Sequence, residues 1–320
     1  MGTAIFDQVT LVGAGLIGAS LAHNIARYNL AKRLVVVEAN EGRCGEVAAL
    51  GLVDEVGTDL PAGVADADLI ILCTPVGTYN DLAAQMAPAL KPGAIVSDVG
   101  SVKAQVIADV ARHLPAGVHL VPGHPIAGTE KSGPSAGFQE LFENRWAILT
   151  PPPGTDQAVI DQVSALWQGC GAKVEVMTPE GHDLVLAITS HLPHLIAYTI
   201  VDTASQLEDS LKSEVIKYSA SGFRDFTRIA GSDPTMWRDI FLTNREAVLE
   251  ILQRFTEDLS YMQRAIRQGD GQTLFDRFTE TRAIRREVVE QGQAGTFDPR
   301  EPKTRPEDEQ VLTPYGGPGV

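Results

Sequence analysis

The chain has 320 residues, 44% of them hydrophobic and 21% charged, enough for two ordinary domains that each bury a core. A formal net charge of −15 argues against nucleic acid or an anionic membrane surface as partner, while leaving room for a local arginine cluster that holds a small anion. The three cysteines, Cys44, Cys73 and Cys170, are scattered without metal-ligand spacing and are expected as reduced cytosolic thiols.

A strand-like run begins at Val9, so early that no signal peptide is expected. No apolar run is expected to reach the ~18 residues that span a membrane. A soluble cytoplasmic protein is therefore expected. Strands are predicted at Val9–Val12, Leu34–Val37, Leu69–Cys73, Ile95–Ser97, His119–Val121, Ala147–Leu149 and Val174–Met177. Between them, helical periodicity is clearest at Leu16–Tyr28, Tyr79–Leu90, Lys103–Leu114 and Asp156–Cys170. Such alternation predicts an α/β fold of Rossmann type, a doubly wound and mostly parallel sheet covered on both faces.

After about Thr178 the strand signal ends. Thr178-Pro179-Glu180 is a helix start, with Thr as cap and Pro at the first helical position. Helical pattern then runs to about Val289, with breaks near Ala220–Gly222 and Gly231–Pro234 and a kink expected at Pro193. We therefore expect a first domain over residues 1–177 and an all-helical second domain over 178–290. The Gly-, Pro- and charge-rich tail, 291–320, has too few apolar residues to offset its ordering entropy and is expected to be disordered.

The first strand leads into Gly13-Ala14-Gly15-Leu16-Ile17-Gly18, a GxGxxG pattern between strand and helix. In that setting Gly13 permits a tight turn, Gly15 lets a pyrophosphate approach the backbone, and Gly18 lets the helix pack on the sheet. The amides around Leu16 and Ile17 then face the phosphates. Glu38 follows at the end of the second strand, placed to accept hydrogen bonds from the adenosine ribose hydroxyls. A 2′-phosphate there would meet like charge, costing roughly 4 kcal/mol at ~4 Å and an effective dielectric near 20. NAD is therefore expected over NADP, with Arg43 able to soften the preference. Thr74 and Pro75, after the third predicted strand, would pass beneath the nicotinamide ribose.

Two further segments reach the carboxyl edge of the sheet, where such folds bind ligands. Ser97–Lys103 places Ser101 just before a helix, as a cap, a ligand contact or both. Lys103 is open to catalysis, a phosphate contact or solvation. In Gly123-His124-Pro125, glycine and proline restrict the backbone on either side of an imidazole, with little regular structure expected around it. A fixed histidine at a nucleotide crevice suits a base that accepts the proton of an alcohol during hydride transfer. In the second half, His191 and His194 share a helix face and His182 lies close in sequence, without the HExxH pattern or cysteines of a metal site. Arg228 sits among Phe226, Ile229 and Ala230, where its guanidinium could bind a carboxylate or pair with Asp225 or Asp233.

Taken together, VGAGLIGAS at 12–20, SDVGSVK at 97–103, GHPIAGTE at 123–130, SHLPH at 190–194, FRDFTRIA at 223–230 and DPTMWRDIF at 233–241 resemble the prephenate/arogenate (cyclohexadienyl) dehydrogenase family. The resemblance implies NAD-dependent oxidative decarboxylation of prephenate or arogenate in tyrosine biosynthesis. It implies His124 as catalytic base, Ser101 orienting the 4-hydroxyl and nicotinamide, and Arg228 on a carboxylate of a dicarboxylate-type substrate. His194, Trp237 and Thr129 would line the rest of the substrate, Glu130 could gate it through Arg224 or Asp225, and the helical domain would form a homodimer. The rival readings are a β-hydroxy-acid dehydrogenase of similar architecture and a non-catalytic NAD sensor.

Overall fold

A computed structural model describes residues 4–129, 131–206 and 221–290. The tail expected to be disordered lies outside these residues, as does Glu130. Chain contacts divide the protein into two compact units, Met1–Leu259 and Ser260–Val320.

The first unit opens with β1 (Phe6–Val12), α1 (Leu16–Tyr28), β2 (Ala31–Val37), α2 (Glu41–Ala49), β3 (Glu55–Gly57), α3 (Leu60–Val64) and β4 (Leu69–Leu72). There follow α4 (Tyr79–Met86), β5 (Ile95–Asp98), α5 (Ala104–Ala111) and β6 (His119–Leu120). The six strands lie in the order β3-β2-β1-β4-β5-β6, every pair parallel. Strand order reverses between β1 and β4, which opens a crevice at their carboxyl ends.

The pleat explains why these strands read as unbroken apolar runs. In β4, Leu69 and Ile71 join one core with Leu21, Ile25 and Trp167, while Ile70 and Leu72 join the opposite core with Val64, Tyr79 and Met86. Both faces are covered, so both sets of side chains must be apolar. Each fully buried Leu or Ile contributes about 1.5–3 kcal/mol. Helix starts are set locally: the side chains of Asn40, Asp59 and Asp156 accept backbone N–H groups of Arg43, Ala62 and Ala158.

The predicted single sheet divides in two. After β6 the chain forms β7 (Gly123–Pro125), β8 (Trp146–Leu149), α6 (Gln157–Gly169) and β9 (Lys173–Val176). These three strands make a separate sheet in the order β7-β8-β9, with β7 antiparallel to β8. His124 therefore lies in a short strand, paired with Ile148, and not in irregular chain as expected. Pro125 is tolerated because β7 is an edge strand with neighbours on one side only. The unpredicted β3 and α2 are short or strongly polar, with too little apolar periodicity to stand out.

The helical half begins as read. Thr178 Oγ1 accepts the Gly181 N–H at 3.1 Å and Pro179 opens α7 (Pro179–Leu186). A π-helical turn, Ala187–His191, leads into α8 (Leu192–Ser205), with Pro193 in the first turn of α8. Where a kink was expected, the helix carries a widened turn just before the proline, which cannot donate to the Thr189 carbonyl. After α9 (Ser221–Thr227) and a 3-10 turn, Arg228–Gly231, come α10 (Pro234–Thr243) and α11 (Arg245–Gln268). Ala187, Leu192, Val248 and Ile251 form the core of this half. The second unit holds the end of α11 and α12 (Gly271–Glu290).

One expectation needs correction. The run Pro179–Ser205 is, by length and a mean hydropathy of 1.6, apolar enough to cross a membrane. It reads as several short runs because His182, Asp183, His191, Pro193 and His194 interrupt it. The three histidines and Asp183 are hydrogen-bonded within the protein.

Candidate active site

Three loops converge on the carboxyl edge of the six-stranded sheet. The first is the turn after β1. Gly13 has φ +94°, and a Cβ there would lie 2.7 Å from Thr74 Cγ2 at the end of β4, so the crevice admits only glycine. A Cβ on Gly18 would come within 2.3 Å of the Gly13 carbonyl oxygen. A Cβ on Gly15 would meet nothing within 4 Å, which leaves open the side from which a phosphate approaches α1. Leu16 and Ile17 form the first turn of that helix. Buried Glu38 follows β2 directly, and its Oε2 accepts the Ala14 N–H at 3.1 Å. Thr74 is half-buried, its Oγ1 2.7 Å from Thr78 Oγ1, and Pro75 is exposed at the lip. These residues fit a dinucleotide: a glycine turn, the N-terminus of α1, and a carboxylate one strand away.

The second loop follows β5. Asp98 and Lys103 form an ion pair with 2% and 0% of their side chains exposed. Asp98 accepts N–H groups from Gly100 at 2.7 Å and Gly123 at 3.2 Å, and Lys103 Nζ donates to the Gly123 carbonyl at 2.6 Å. Burial pushes the Asp98 carboxyl up and the Lys103 ammonium down, and in each case the charged partner opposes the push. The pair therefore fastens β5 and its loop to the strand that carries His124. Solvation of Lys103, one of the roles left open by the sequence, is ruled out. Ser101 is half-buried and does not cap α5, whose first residue is Ala104 and whose N-cap is Lys103. The first turn is capped from elsewhere: Asp183 of α7 accepts the Lys103 N–H at 2.8 Å and the Ala104 N–H at 2.9 Å.

The third group surrounds His124. Its Nδ1 lies 2.8 Å from His182 Nε2, and His182 Nδ1 lies 2.8 Å from Asp183 Oδ1. Burial, followed by the charges of His182, Lys103 and His191, pushes the His124 imidazole well below its usual range. Burial also lowers His182, against the pull of Asp183. His191 is buried with its Nδ1 3.0 Å from Asn244 Nδ2, and burial lowers it to about 4. Asn244 donates as well to the Asp183 carbonyl at 2.9 Å. His194 donates from Nδ1 to the Ser190 carbonyl at 2.8 Å and stacks on Trp237, ring centroids 3.7 Å apart. Trp237 packs in turn on Val102, so the histidine helix and the Ser101 loop meet at one place.

Sequence-family models agree with this geometry. Residues 21–176 match "Prephenate dehydrogenase, nucleotide-binding domain", and residues 178–280 match "Prephenate dehydrogenase, dimerization domain". The chain belongs to the prephenate dehydrogenase family. It is 41% identical to the cyclohexadienyl dehydrogenase of Zymomonas mobilis over 85% of this chain and 92% of that one. It is 34% identical to the prephenate dehydrogenase of Bacillus subtilis over 84% of this chain and 72% of that one. Among solved structures it resembles Aquifex aeolicus prephenate dehydrogenase in complex with hydroxyphenyl propionate and NAD+. The TM-score is 0.83 at 35% identity, over 90% of this chain and 99% of that one. Membership makes the chain an oxidoreductase.

Within this family member, the remaining predicted residues fall around the same place. Arg228 opens the 3-10 turn after α9 and is exposed, not enclosed by its apolar neighbours, since Phe226 is itself exposed. It is near enough to His194 for its charge to lower that imidazole, after burial as the larger cause. Thr129 is half-buried, its Oγ1 accepting the Lys131 N–H at 3.2 Å. The gate proposed through Glu130 lies outside the described residues. Arg224 pairs with its neighbour Asp225 at 3.4 Å, both highly exposed. Sequence reasoning missed the Asp98–Lys103 pair and Asp183. Their partners are up to 80 residues away, and the only local signal was a charged residue at the end of an apolar strand or helix face.

Proposed function

We propose that this chain is an NAD-dependent dehydrogenase of tyrosine biosynthesis that oxidatively decarboxylates cyclohexadienyl acids, prephenate and arogenate. The observation that carries the mechanism is the placement of His124: buried, its imidazole pushed well below its usual range, with Nδ1 turned to His182 Nε2 at 2.8 Å, so that Nε2 is the nitrogen offered to a substrate. Such a ring can take a hydrogen bond from the substrate's 4-hydroxyl and accept its proton as that carbon is oxidised. Bound nicotinamide supplies the hydride acceptor. Loss of carbon dioxide from C1 sends an electron pair into the ring, and the C4 oxygen recovers its proton as the phenol. No proton is released overall, so the base has only to hold it between the two events.

Ser101, freed from capping α5, is available to orient the 4-hydroxyl and the nicotinamide. Arg228 would bind a carboxylate of the substrate, which on this reading is a dicarboxylate, with His194, Trp237 and Thr129 around the remainder. Trp237 Nε1 is buried and, among the described residues, has no hydrogen-bond partner, which supports a place beside a polar ligand. Gly13, Gly15, Leu16, Ile17, Gly18, Glu38, Thr74 and Pro75 would hold NAD, with Glu38 disfavouring NADP.

On this reading residues 1–177 bind the cofactor and 178–290 complete the substrate site and dimerise. Exposed Leu184, Val185, Ile188, Ile200, Val201 and Leu249 in the helical half would be covered by the partner subunit of a soluble, cytoplasmic dimer. The test is the initial rate of NADH formation at ~340 nm with each acid in turn. Turnover of either acid supports the reading, and the ratio of kcat/KM values gives the preference. NAD binding without turnover of either would overturn it.

A further inference from the structure

We propose that His182 and Asp183 form a relay behind His124 that sets its tautomer and shares its positive charge during turnover. The inference rests on His124 being the base. Both are positioning residues: they act on the substrate only through His124.

The tautomers follow from the order of partners. Asp183 accepts backbone N–H groups on both carboxylate oxygens, from Lys103 at 2.8 Å and Ala104 at 2.9 Å, so the carboxylate is oriented as an acceptor. His182 must then carry its hydrogen on Nδ1, which faces Asp183 Oδ1. That leaves a lone pair on His182 Nε2, which faces His124 Nδ1 at 2.8 Å, so His124 carries its hydrogen on Nδ1. The remaining lone pair, on His124 Nε2, is the one a base needs. A histidine kept only for packing needs one partner. This chain of three buried groups is directional and begins at a helix N-terminus, where negative charge is favoured.

The same chain answers a charge problem. When the substrate's hydroxyl proton reaches His124 Nε2, an imidazolium forms in a buried place beside Lys103, and both burial and the Lys103 charge disfavour it. Transfer of the Nδ1 proton to His182 Nε2 moves the positive charge to a ring that burial and Lys103 still oppose but that faces the Asp183 carboxylate and, farther off, Asp98. When the C4 oxygen reclaims its proton, both transfers reverse. Bonds and charges balance without an outside proton donor.

The experiment combines ¹⁵N NMR of the histidine side chains in wild-type protein with kinetics of three variants. The wild-type spectrum is expected to show His124 and His182 neutral and protonated on Nδ1. In Asp183→Asn the negative charge is lost, and an amide whose oxygen keeps the Ala104 N–H presents its own N–H to His182, inverting both tautomers. Its kcat is expected to fall by about 10²-fold or more, with KM and NAD affinity held within about threefold. The same inversion in a Ser-His-Asp triad costs about 10⁴-fold. His182→Gln keeps an acceptor for His124 Nδ1 and cannot carry the charge, whereas His182→Leu offers neither, so Gln is expected to retain more activity than Leu.

The relay is overturned by a wild-type spectrum with His124 protonated on Nε2, by wild-type kcat in Asp183→Asn, or by equal losses in the two His182 variants. If Asp183→Asn does not fold, the wild-type spectrum and the His182 pair decide alone. His124→Asn separates the two ideas. Turnover retained by that variant ends the base reading. Turnover lost there but unchanged in Asp183→Asn ends only the relay.

Discussion

Replacing Lys103 with methionine tests the buried ion pair most directly. The side chains of Lys103 and Asp98 are 0% and 2% exposed, so methionine of similar length strands a carboxylate without solvent or counter-ion. Removing one partner of such a pair costs about 3–5 kcal/mol. The carboxyl will instead take up a proton, and the cost of keeping it neutral sets the pH dependence. From an unfolded value near 3.9 that cost grows by about 1.4 kcal/mol per pH unit, to about 1.5 kcal/mol at pH 5 and about 4 kcal/mol at pH 7. The sign follows from burial raising the folded pKa: the folded variant binds more protons than the unfolded chain, so its stability falls as pH rises from about 4 through the raised value. Guanidinium unfolding at fixed protein concentration, followed by fluorescence of buried Trp167 in the same half, measures the difference from wild type at each pH. Asp98→Asn combined with Lys103→Met should abolish the slope. A difference below about 1 kcal/mol at pH 7, or one that does not change with pH, would refute the account of a stranded carboxylate.

His124→Asn should keep NAD affinity, measured by fluorescence titration, while kcat falls by about 10²–10⁴-fold; a near wild-type rate would remove the base. Arg228→Ala should raise the Michaelis constant for either acid, with the loss of one charge-assisted pair worth about 1.5–3 kcal/mol, and an unchanged value would place the carboxylate contact elsewhere. Gly18→Ala forces a Cβ to 2.3 Å from the Gly13 carbonyl, so NAD binding by calorimetry should be lost or greatly weakened while the helical half stays folded. Retained affinity would show that the glycine turn yields more than its packing suggests.

Much of the site was legible locally. The glycine turn follows from backbone sterics, and Glu38 from the spacing of one strand–helix–strand unit, which the order β3-β2-β1-β4-β5-β6 realises. His124 was singled out by its neighbours Gly123 and Pro125, although its strand was missed because three residues carry no readable period. The Thr178 start was likewise a chemical statement about adjacent residues and appears as read, while at Pro193 the structure has a π-helical turn, Ala187–His191, just before the proline.

By itself the sequence determined what depends on near neighbours: strand and helix periodicity, caps, turns, and which residue types stand at strand ends. Only the tertiary structure decided what those polar residues do, because their partners come from distant segments. Lys103 could have been solvated until β7 closed over it and Asp98 met it in the dry interior. Asp183 looked like an ordinary helix residue until folding set it against the first turn of α5, 80 residues away, and behind His182. Periodicity records which face of an element is buried; the electrostatics of a buried group depend on every element packed against that face.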